Sequence, residues 1–518
     1  MGWIMVLKFF VAAIFMSIGF FGSYASVGAA KLKLVPQLVS RGTIVYAREC
    51  AVCHGPSGKG DGEGAYLLFP RPRDLTSKMF KIRTTFPGEP PNRSDIVRTL
   101  TLGLPGSTMP SFVSLGESDR RAVAEYVLSL AGFEDAAEEF VKLPKFPPVS
   151  KEWIAKGKAA FKKYECAKCH GEKGKGDGPS AFSLKDYKGR PIRARDYTRG
   201  VFKGGGDIRS IATRILTGME GTPMPSYSDT VEPNDLIALA HFVRQSSKGR
   251  DFWQPGTGVI PARRIQNVPT SPNDVRWTRV VPTVIPMMQL FNDGRPSLEV
   301  EVRAIHSERE ISFRLEWADA TPDRKTLTGE SFVDAAAVQF SIREKDPPLF
   351  VMGAPDNLVN IWYWNATLGR KPAGLEAKYP GMVVDDYPFT GVAYQQRQIG
   401  HQRIPSARMT KRLFIAAWAA GNPTTTPGRA RAIMDINAAG FGTLDPQGPE
   451  GQNVVGSGRW EKGRWRVVFT RTLRSAEEND AKLLPGTVHP IAFAVWDGSH
   501  HDRDGQKSVT TWYKLRIE

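Results

Sequence analysis

Apolar residues are spaced along this chain in three rhythms, and each predicts a different element. The first is an unbroken apolar run from Phe9 to about Phe21, preceded by Lys8 and followed by small residues ending at Ala29 and Ala30. This layout predicts a secretory signal segment over 1–30, either cleaved after Ala25, Ala29 or Ala30 or kept as a membrane anchor. The second rhythm is helical. In SKEWIAKGKAAFKKYEC, Ser150 is an N-cap candidate, and Trp153, Ile154, Phe161 and Tyr164 recur at helix-like spacing. SDRRAVAEYVLSL, opened by Ser118, and PNDLIALAHFV, opened by Pro233, predict two further helices. The third rhythm is strict alternation: Leu298, Val300, Val302 and Ala304, then Ile311, Phe313, Leu315 and Trp317, then Val509, Thr511, Tyr513, Leu515 and Ile517. WEKGRW at 460–465 reads as a hairpin turn before VVF. The predicted fold class is multidomain. Two all-α domains at 36–132 and 151–247 are joined by a linker at 133–150, and a second linker at 248–262 leads to an all-β, sandwich-like domain at 263–518.

Composition narrows the compartment and the partners. A chain of 518 residues is too long for one ordinary core. With only four cysteines it is not a disulfide-stapled scaffold. The net charge is +17, but the Lys and Arg residues are scattered and follow no nucleic-acid-binding pattern. An acidic electron-transfer partner accounts for the charge better than nucleic acid does. The signal segment predicts a periplasmic location, and no cysteine at the cleavage region would take a lipid.

The four cysteines lie in two copies of one short sequence, CAVCHGPSGKGDG from Cys50 and CAKCHGEKGKGDG from Cys166. The likeness extends beyond these copies. RDLTSKMFK from Arg73 matches RDYTRGVFK from Arg195, STMPSF matches TPMPSY, and AEYVLSL from Ala124 matches AHFVRQS from Ala240, all in the same order. C-x-x-C-H is the attachment motif for c-type haem: Cys50, Cys53, Cys166 and Cys169 would bond two porphyrins, with His54 and His170 beneath the irons. Met109 and Met224 sit in loops before the closing helices, each followed by proline, and are the candidate sixth ligands. A zinc ribbon would need two cysteine pairs close together, and a redox disulfide has no use for a methionine loop. GKGDG lacks the Lys-Ser/Thr of a phosphate loop, so its glycines read as close backbone approach to a porphyrin edge. Arg73 and Arg195 are weaker candidates for haem propionates. Both blocks resemble class I c-type cytochrome domains.

The third domain has no cysteine, and His306, His401, His489, His500 and His501 form no metal-site spacing. LFVMGAPDNLVNIWYWNA at 349–366 and HDRDGQKSVTTWYKLRIE at 501–518 resemble the haem b-binding gamma subunits of ethylbenzene dehydrogenase and related type II members of the DMSO-reductase superfamily. That resemblance implies a β-sandwich-like fold holding one non-covalent haem b. Its iron would lie between Met352 and Lys507, with His500 or His501 as the fallback ligand. Lysine ligates only as the neutral amine.

The resulting expectation is a non-catalytic, exported electron-transfer subunit with two haems c and one haem b. Its partners would be the iron–sulfur subunit of a molybdenum enzyme and a soluble cytochrome or respiratory complex. Nitrite oxidoreductase stands first among such enzymes, ahead of hydrocarbon dehydrogenases and chlorate- or selenate-type reductases. Two rival readings remain: a diheme cytochrome with a haem-free docking domain, and a cytochrome with its own oxidoreductase activity at an open haem.

Overall fold

A computed structural model describes residues 31–137, 140–248, 258–291, 298–324, 332–367 and 431–518, so the signal segment and His401 lie outside it. Among the described residues, no helix is long and apolar enough to cross a membrane.

The two helical blocks share one plan. Helices α1 (Pro36–Glu49) and α5 (Lys151–Lys163) lead into the short turns α2 (Ala51–His54) and α6 (Ala167–His170), which carry the cysteine motifs. Helices α3 (Arg93–Leu102) and α7 (Ile208–Thr217) precede the methionine loops, and α4 (Glu117–Leu130) and α8 (Pro233–Ser246) close each block. Local chemistry sets the starts. The Ser150 side chain accepts from Trp153 N, Asn92 and Asp95 form a reciprocal capping box, and Pro233 occupies the first turn of α8. Helix α4 begins one residue before the predicted Ser118: Gly116 is its N-cap, and Glu117 and Asp119 place acidic charge in the first turn.

In each block the first and last helices cross at a glycine. A Cβ on Gly42 would sit 2.1 Å from Ala122 O, and one on Gly157 would sit 2.1 Å from Ala238 O. Only hydrogen fits at either crossing. Strands β1 (Lys31–Lys33) and β2 (Asp135–Ala137) pair antiparallel and tie the two ends of the first block together.

Among the described residues from 258 onward, fourteen strands form one hydrogen-bonded sheet. Its first half comprises β3 (Val259–Arg264), β4 (Thr283–Pro286), β5 (Met288–Gln289), β6 (Glu299–His306), β7 (Glu310–Ala318), β8 (Ala335–Ser341) and β9 (Val359–Asn365). It is completed by β10 (Ile433–Ala438), β11 (Asp445–Pro446), β12 (Val455–Glu461), β13 (Arg464–Thr472), β14 (Val488–Trp496), β15 (Ser508–Val509) and β16 (Tyr513–Ile517). The main order is β11-β10-β9-β8-β14-β16-β3-β6-β7-β13-β12. The layers expected as two packed sheets are therefore continuous, with β16 and β3 joining them in parallel. The sandwich-like packing is kept because the sheet folds over its own apolar face. Trp465 of β13 packs on Trp364 of β9 with ring centroids 4.9 Å apart, and Phe313 of β7 packs on Trp362 of β9 at 5.8 Å. The predicted WEKGRW hairpin is present, with Lys462 and Gly463 both at positive φ, the pair of angles its two-residue turn needs. The final alternating run is broken, however, between β15 and β16, where Thr511 turns to the first helical block.

A second apolar cluster, built on Tyr363, Met434, Ala492 and Trp512, covers the other face of the β8–β9–β10–β14 portion. Met352, Leu349 and Trp496 pack against it.

Candidate haem sites

In both helical blocks the cysteine turn is tied to the irregular segment that carries the Arg-Asp pair. His54 Nδ1 lies 2.9 Å from Arg73 O, and His170 Nδ1 lies 3.3 Å from Arg195 O. A carbonyl on Nδ1 fixes that nitrogen as the donor and leaves Nε2 as a free lone pair. Burial lowers both histidines, His170 to about 4, so each imidazole stays neutral, the form that binds iron. Burial also raises the thiols, Cys53 and Cys166 both to about 11 and Cys50 further.

The methionine loops are built alike. Leu104 N donates to Met109 O at 3.0 Å and Met219 N to Met224 O at 3.1 Å. The hydroxyls of Ser111 and Ser226 reach back to Thr101 O and Leu216 O. Met109 packs against the core that contains Cys50 and Tyr46. Met224 lines a cavity of ≈ 670 Å³ together with Cys166, Cys169, His170 and Tyr227. Phe69, Pro70, Lys81 and Gly106 of the first block also line that cavity, so the neighbouring block completes its wall.

The arginines placed by sequence alignment cross over. Arg73 of the first block donates to Glu220 O in the second block's methionine loop at 3.2 Å, and Arg195 of the second donates to Pro105 O in the first block's loop at 3.1 Å. Lys81 and Lys203 join them. Burial, then repulsion from the two arginines and from each other, lowers Lys203 far below its ordinary value, and burial with Arg73 takes Lys81 to about 8. Arg195 is lowered to about 10, chiefly by burial. Arg73 Nη1 is buried without a hydrogen-bond partner. Four crowded cations with an orphaned donor call for anions, and the carboxylates of two porphyrins fit that demand. Nothing in the sequence signals the crossing beyond the repeated RD dipeptide.

Met352 and Lys507, 155 residues apart in sequence, meet in the third domain: Lys507 Nζ lies 3.9 Å from Met352 Sδ. The pair sets a thioether and an amine, two groups that would hold a haem iron, side by side in one pocket. Met352 stands at φ 76, in the left-handed region. Its carbonyl accepts from Gly440 N at 2.8 Å, and a Cβ on Gly353 would meet Ala438 O at 2.8 Å, so the end of β10 holds this turn in place. Backbone strain of this kind gathers where a side chain must be aimed. The Lys507 ammonium lies 4.7 Å from the centre of the Trp496 ring, and burial lowers it to about 8, towards the neutral amine that ligation requires. The fallback ligands point elsewhere: His500 pairs with Asp497 at 2.8 Å, and the His501 ring stands edge-on to Phe332 at 5.7 Å.

Two chains of contact join this pocket to the first helical block. Leu290 N donates to Lys507 O and Phe69 N to Leu290 O, at 3.0 and 3.1 Å. Thr511, four residues past Lys507, donates to Ser111 O, two residues past Met109, at 2.7 Å. The first block is thus bonded to both the β domain and the second block, and Phe291 of the β domain also lines the second block's cavity.

Residues 39–131 and 154–247 match the cytochrome c family, and residues 273–508 match the ethylbenzene dehydrogenase family. The chlorate reductase subunit gamma of Ideonella dechloratans is 26% identical over 50% of this chain and 88% of its own length. The dimethylsulfide dehydrogenase subunit gamma of Rhodovulum sulfidophilum is 26% identical over 50% of this chain and 79% of its own. A Haloferax mediterranei protein, ORF7, named as a proposed respiratory nitrate reductase heme subunit, is 28% identical over 49% of this chain and 71% of its own.

Proposed function

We propose that this chain, two cytochrome c domains joined to an ethylbenzene dehydrogenase-like gamma domain, is the triheme electron relay of an exported molybdenum oxidoreductase. One observation carries the reading. Lys507 meets Met352, His170 and Met224 line one cavity, the repeat gives His54 and Met109 the same places in the first block, and hydrogen bonds join the β domain to the first cytochrome domain and that domain to the second. Each haem iron, once bound, takes up and releases one electron at a time. The chain's residues set how readily it does so. Methionine thioethers favour the reduced iron and raise its potential, whereas the lysine amine is a harder donor. The β domain faces the iron–sulfur subunit of the molybdenum enzyme, and the second cytochrome domain faces a soluble cytochrome or respiratory complex. The chain performs no bond chemistry of its own. Its net charge of +17 suits an acidic docking face on a partner. Nitrite, nitrate, chlorate or dimethylsulfide chemistry would belong to a separate catalytic subunit; the relatives are named as a heme subunit of a nitrate reductase and as gamma subunits of a chlorate reductase and a dimethylsulfide dehydrogenase. The 1–30 segment directs the chain to the periplasm.

The test is an alkaline pyridine haemochrome spectrum of the purified chain, with acid–acetone extraction to separate loose from covalent haem. Two haems c and one extractable haem b per chain support the relay. Two haems c with no haem b, even after incubation with excess haemin, sink the triheme reading and reduce the β domain to a docking module.

A further inference from the structure

The segment that holds each proximal histidine is built alike in the two cytochrome domains. The carbonyls of Arg73 and Arg195 meet the histidine Nδ1 atoms. The residues that follow, Asp74 and Asp196, accept from Thr76 N and Thr198 N at 3.0 and 2.9 Å, and so cap the matching short helical turns Leu75–Ser77 and Tyr197–Arg199. The first residues of those turns share one anchor: Leu75 N donates to Gly58 O and Tyr197 N to Gly174 O, each at 2.7 Å. The backbone therefore delivers Leu75 and Tyr197 to the same place, and their side chains differ.

In the second block that side chain is a ring. Tyr197 stacks on His170 with centroids 4.5 Å apart and planes 26° from parallel, and it stacks in turn with Phe202 at 6.0 Å and 16°. Tyr197 packs against the core that contains Phe202, and both line the cavity of Cys166, Cys169, His170 and Met224. Gly174 stands at φ 70, and a Cβ there would lie 3.0 Å from Tyr197 Cδ2, so the turn after the cysteine motif closes on the edge of the ring. Leu75 packs against the first core as an aliphatic side chain and has no π face to offer His54.

A ring stacked on an imidazole has two effects. It restrains the plane of the imidazole, which a single hydrogen bond at Nδ1 leaves free to rock. That restraint falls where the hydrogen bond is longer, 3.3 Å at His170 against 2.9 Å at His54. The phenol ring also presents the negative face of its quadrupole. An imidazole on oxidised iron is more positive than one on reduced iron, so that face stabilises the oxidised form by more.

We propose that Tyr197 is a positioning residue for the second haem: stacked on His170, it fixes the plane of that imidazole and favours oxidised iron, so two haems with the same ligand types hold their electrons unequally. The inference rests on the haem c reading of the two blocks.

The test is a redox titration of the full-length, haem-loaded chain, followed by the visible absorption of its c-type haems. Tyr197→Leu, which copies the first block, should move one of the two c-type waves towards easier reduction. At a fixed applied potential the reduced-to-oxidised ratio of that haem should rise about three- to tenfold, tenfold being about 59 mV for one electron. Tyr197→Phe keeps the stack and should stay within about twofold of wild type. Tyr197→4-cyanophenylalanine keeps the ring and withdraws its electrons, so it should shift in the same direction as leucine. This third variant carries the test should the leucine variant fail to fold. Unmoved waves in the leucine and cyano variants, a shift towards harder reduction, or a phenylalanine variant displaced as far as leucine overturns the assignment. A wild-type chain with fewer than two haems c by pyridine haemochrome overturns the haem reading beneath it instead, so the two failures are distinct.

Discussion

Replacing Met352 separates the two things this residue does, which are to hold a left-handed backbone turn and to aim a thioether at Lys507. Its φ of 76 costs a non-glycine residue about 1–2 kcal/mol. The turn cannot relax to shed that cost, because Met352 O is bonded to Gly440 N and Gly353 lies hard against Ala438 O. Met352→Ala therefore loses the thioether and keeps the strain, whereas Met352→Gly loses the thioether and sheds the strain. Both variants lose the same haem and the same packing against the cluster of Tyr363, Met434 and Trp512, apart from one methyl carbon, so those terms nearly cancel in the comparison. The glycine variant should melt higher than the alanine variant by about 2–8 °C, taking about 2–4 °C per kcal/mol for a domain of this size. Both should lose most extractable haem b while keeping two haems c. Thermal melts and pyridine haemochromes on the same preparations supply both readouts. A glycine variant melting no higher than the alanine variant refutes the strain argument, and full haem b retention in either variant refutes the ligand assignment.

Three other outcomes follow from the geometry. Glu220→Ala should destabilise the paired cytochrome domains by about 3–5 kcal/mol in a denaturant melt. Glu220 accepts from Phe80 N, Gly88 N and Arg83 Nη1, and its loss removes the carboxylate that pairs with Arg83, which is 1% exposed and keeps only the carbonyls of Glu89 and Phe86; a loss below about 1 kcal/mol counts against the argument. Gly157→Ala should lower the stability of the second cytochrome domain even though alanine is the better helix former by about 1 kcal/mol. The added carbon would lie 2.1 Å from Ala238 O, and overpacking of that kind costs about 1–3 kcal/mol, so a more stable variant contradicts the crossing geometry. Asp435 is raised to about 8 by burial and then by Asp480, and its Oδ2 has no partner. Its folded value lies above the unfolded 3.8, so the stability its protonated form contributes is complete below about pH 4 and is lost as pH rises through about 8. Between those limits the loss is roughly 1.4 kcal/mol per pH unit at most, and Asp435→Asn should flatten that slope in melts taken across the range.

The chemistry of the cytochrome half was legible because its signal is local. C-x-x-C-H, the following Arg-Asp and the Met-Pro loop occur twice in one order, and in the second block Cys166, Cys169, His170, Arg195 and Met224 line one cavity. The arginine exchange was not legible, since a repeated dipeptide looks the same whether its side chain stays home or crosses. Gly42 and Gly157 were equally silent: a glycine inside a helix reads as a weakness until the partner helix is seen against it. In the β domain, alternation found the strands but could not tell two sheets from one folded sheet, because the joining pair β16 and β3 lies far apart in the chain. Met352 and Lys507 were reachable only through family resemblance, and no local pattern singles them out.

The crossed arginines change what the duplication means. A repeated domain ordinarily gives a protein a spare, and either copy can be lost or repurposed while the other carries on. Here each copy holds a side chain whose main contact lies in its neighbour, so neither is a spare. Deleting the second domain would remove Arg195 from the first methionine loop and leave Arg73 reaching towards nothing. The pair of cytochrome domains is therefore not modular at this joint: neither can be removed without rebuilding the copy that stays.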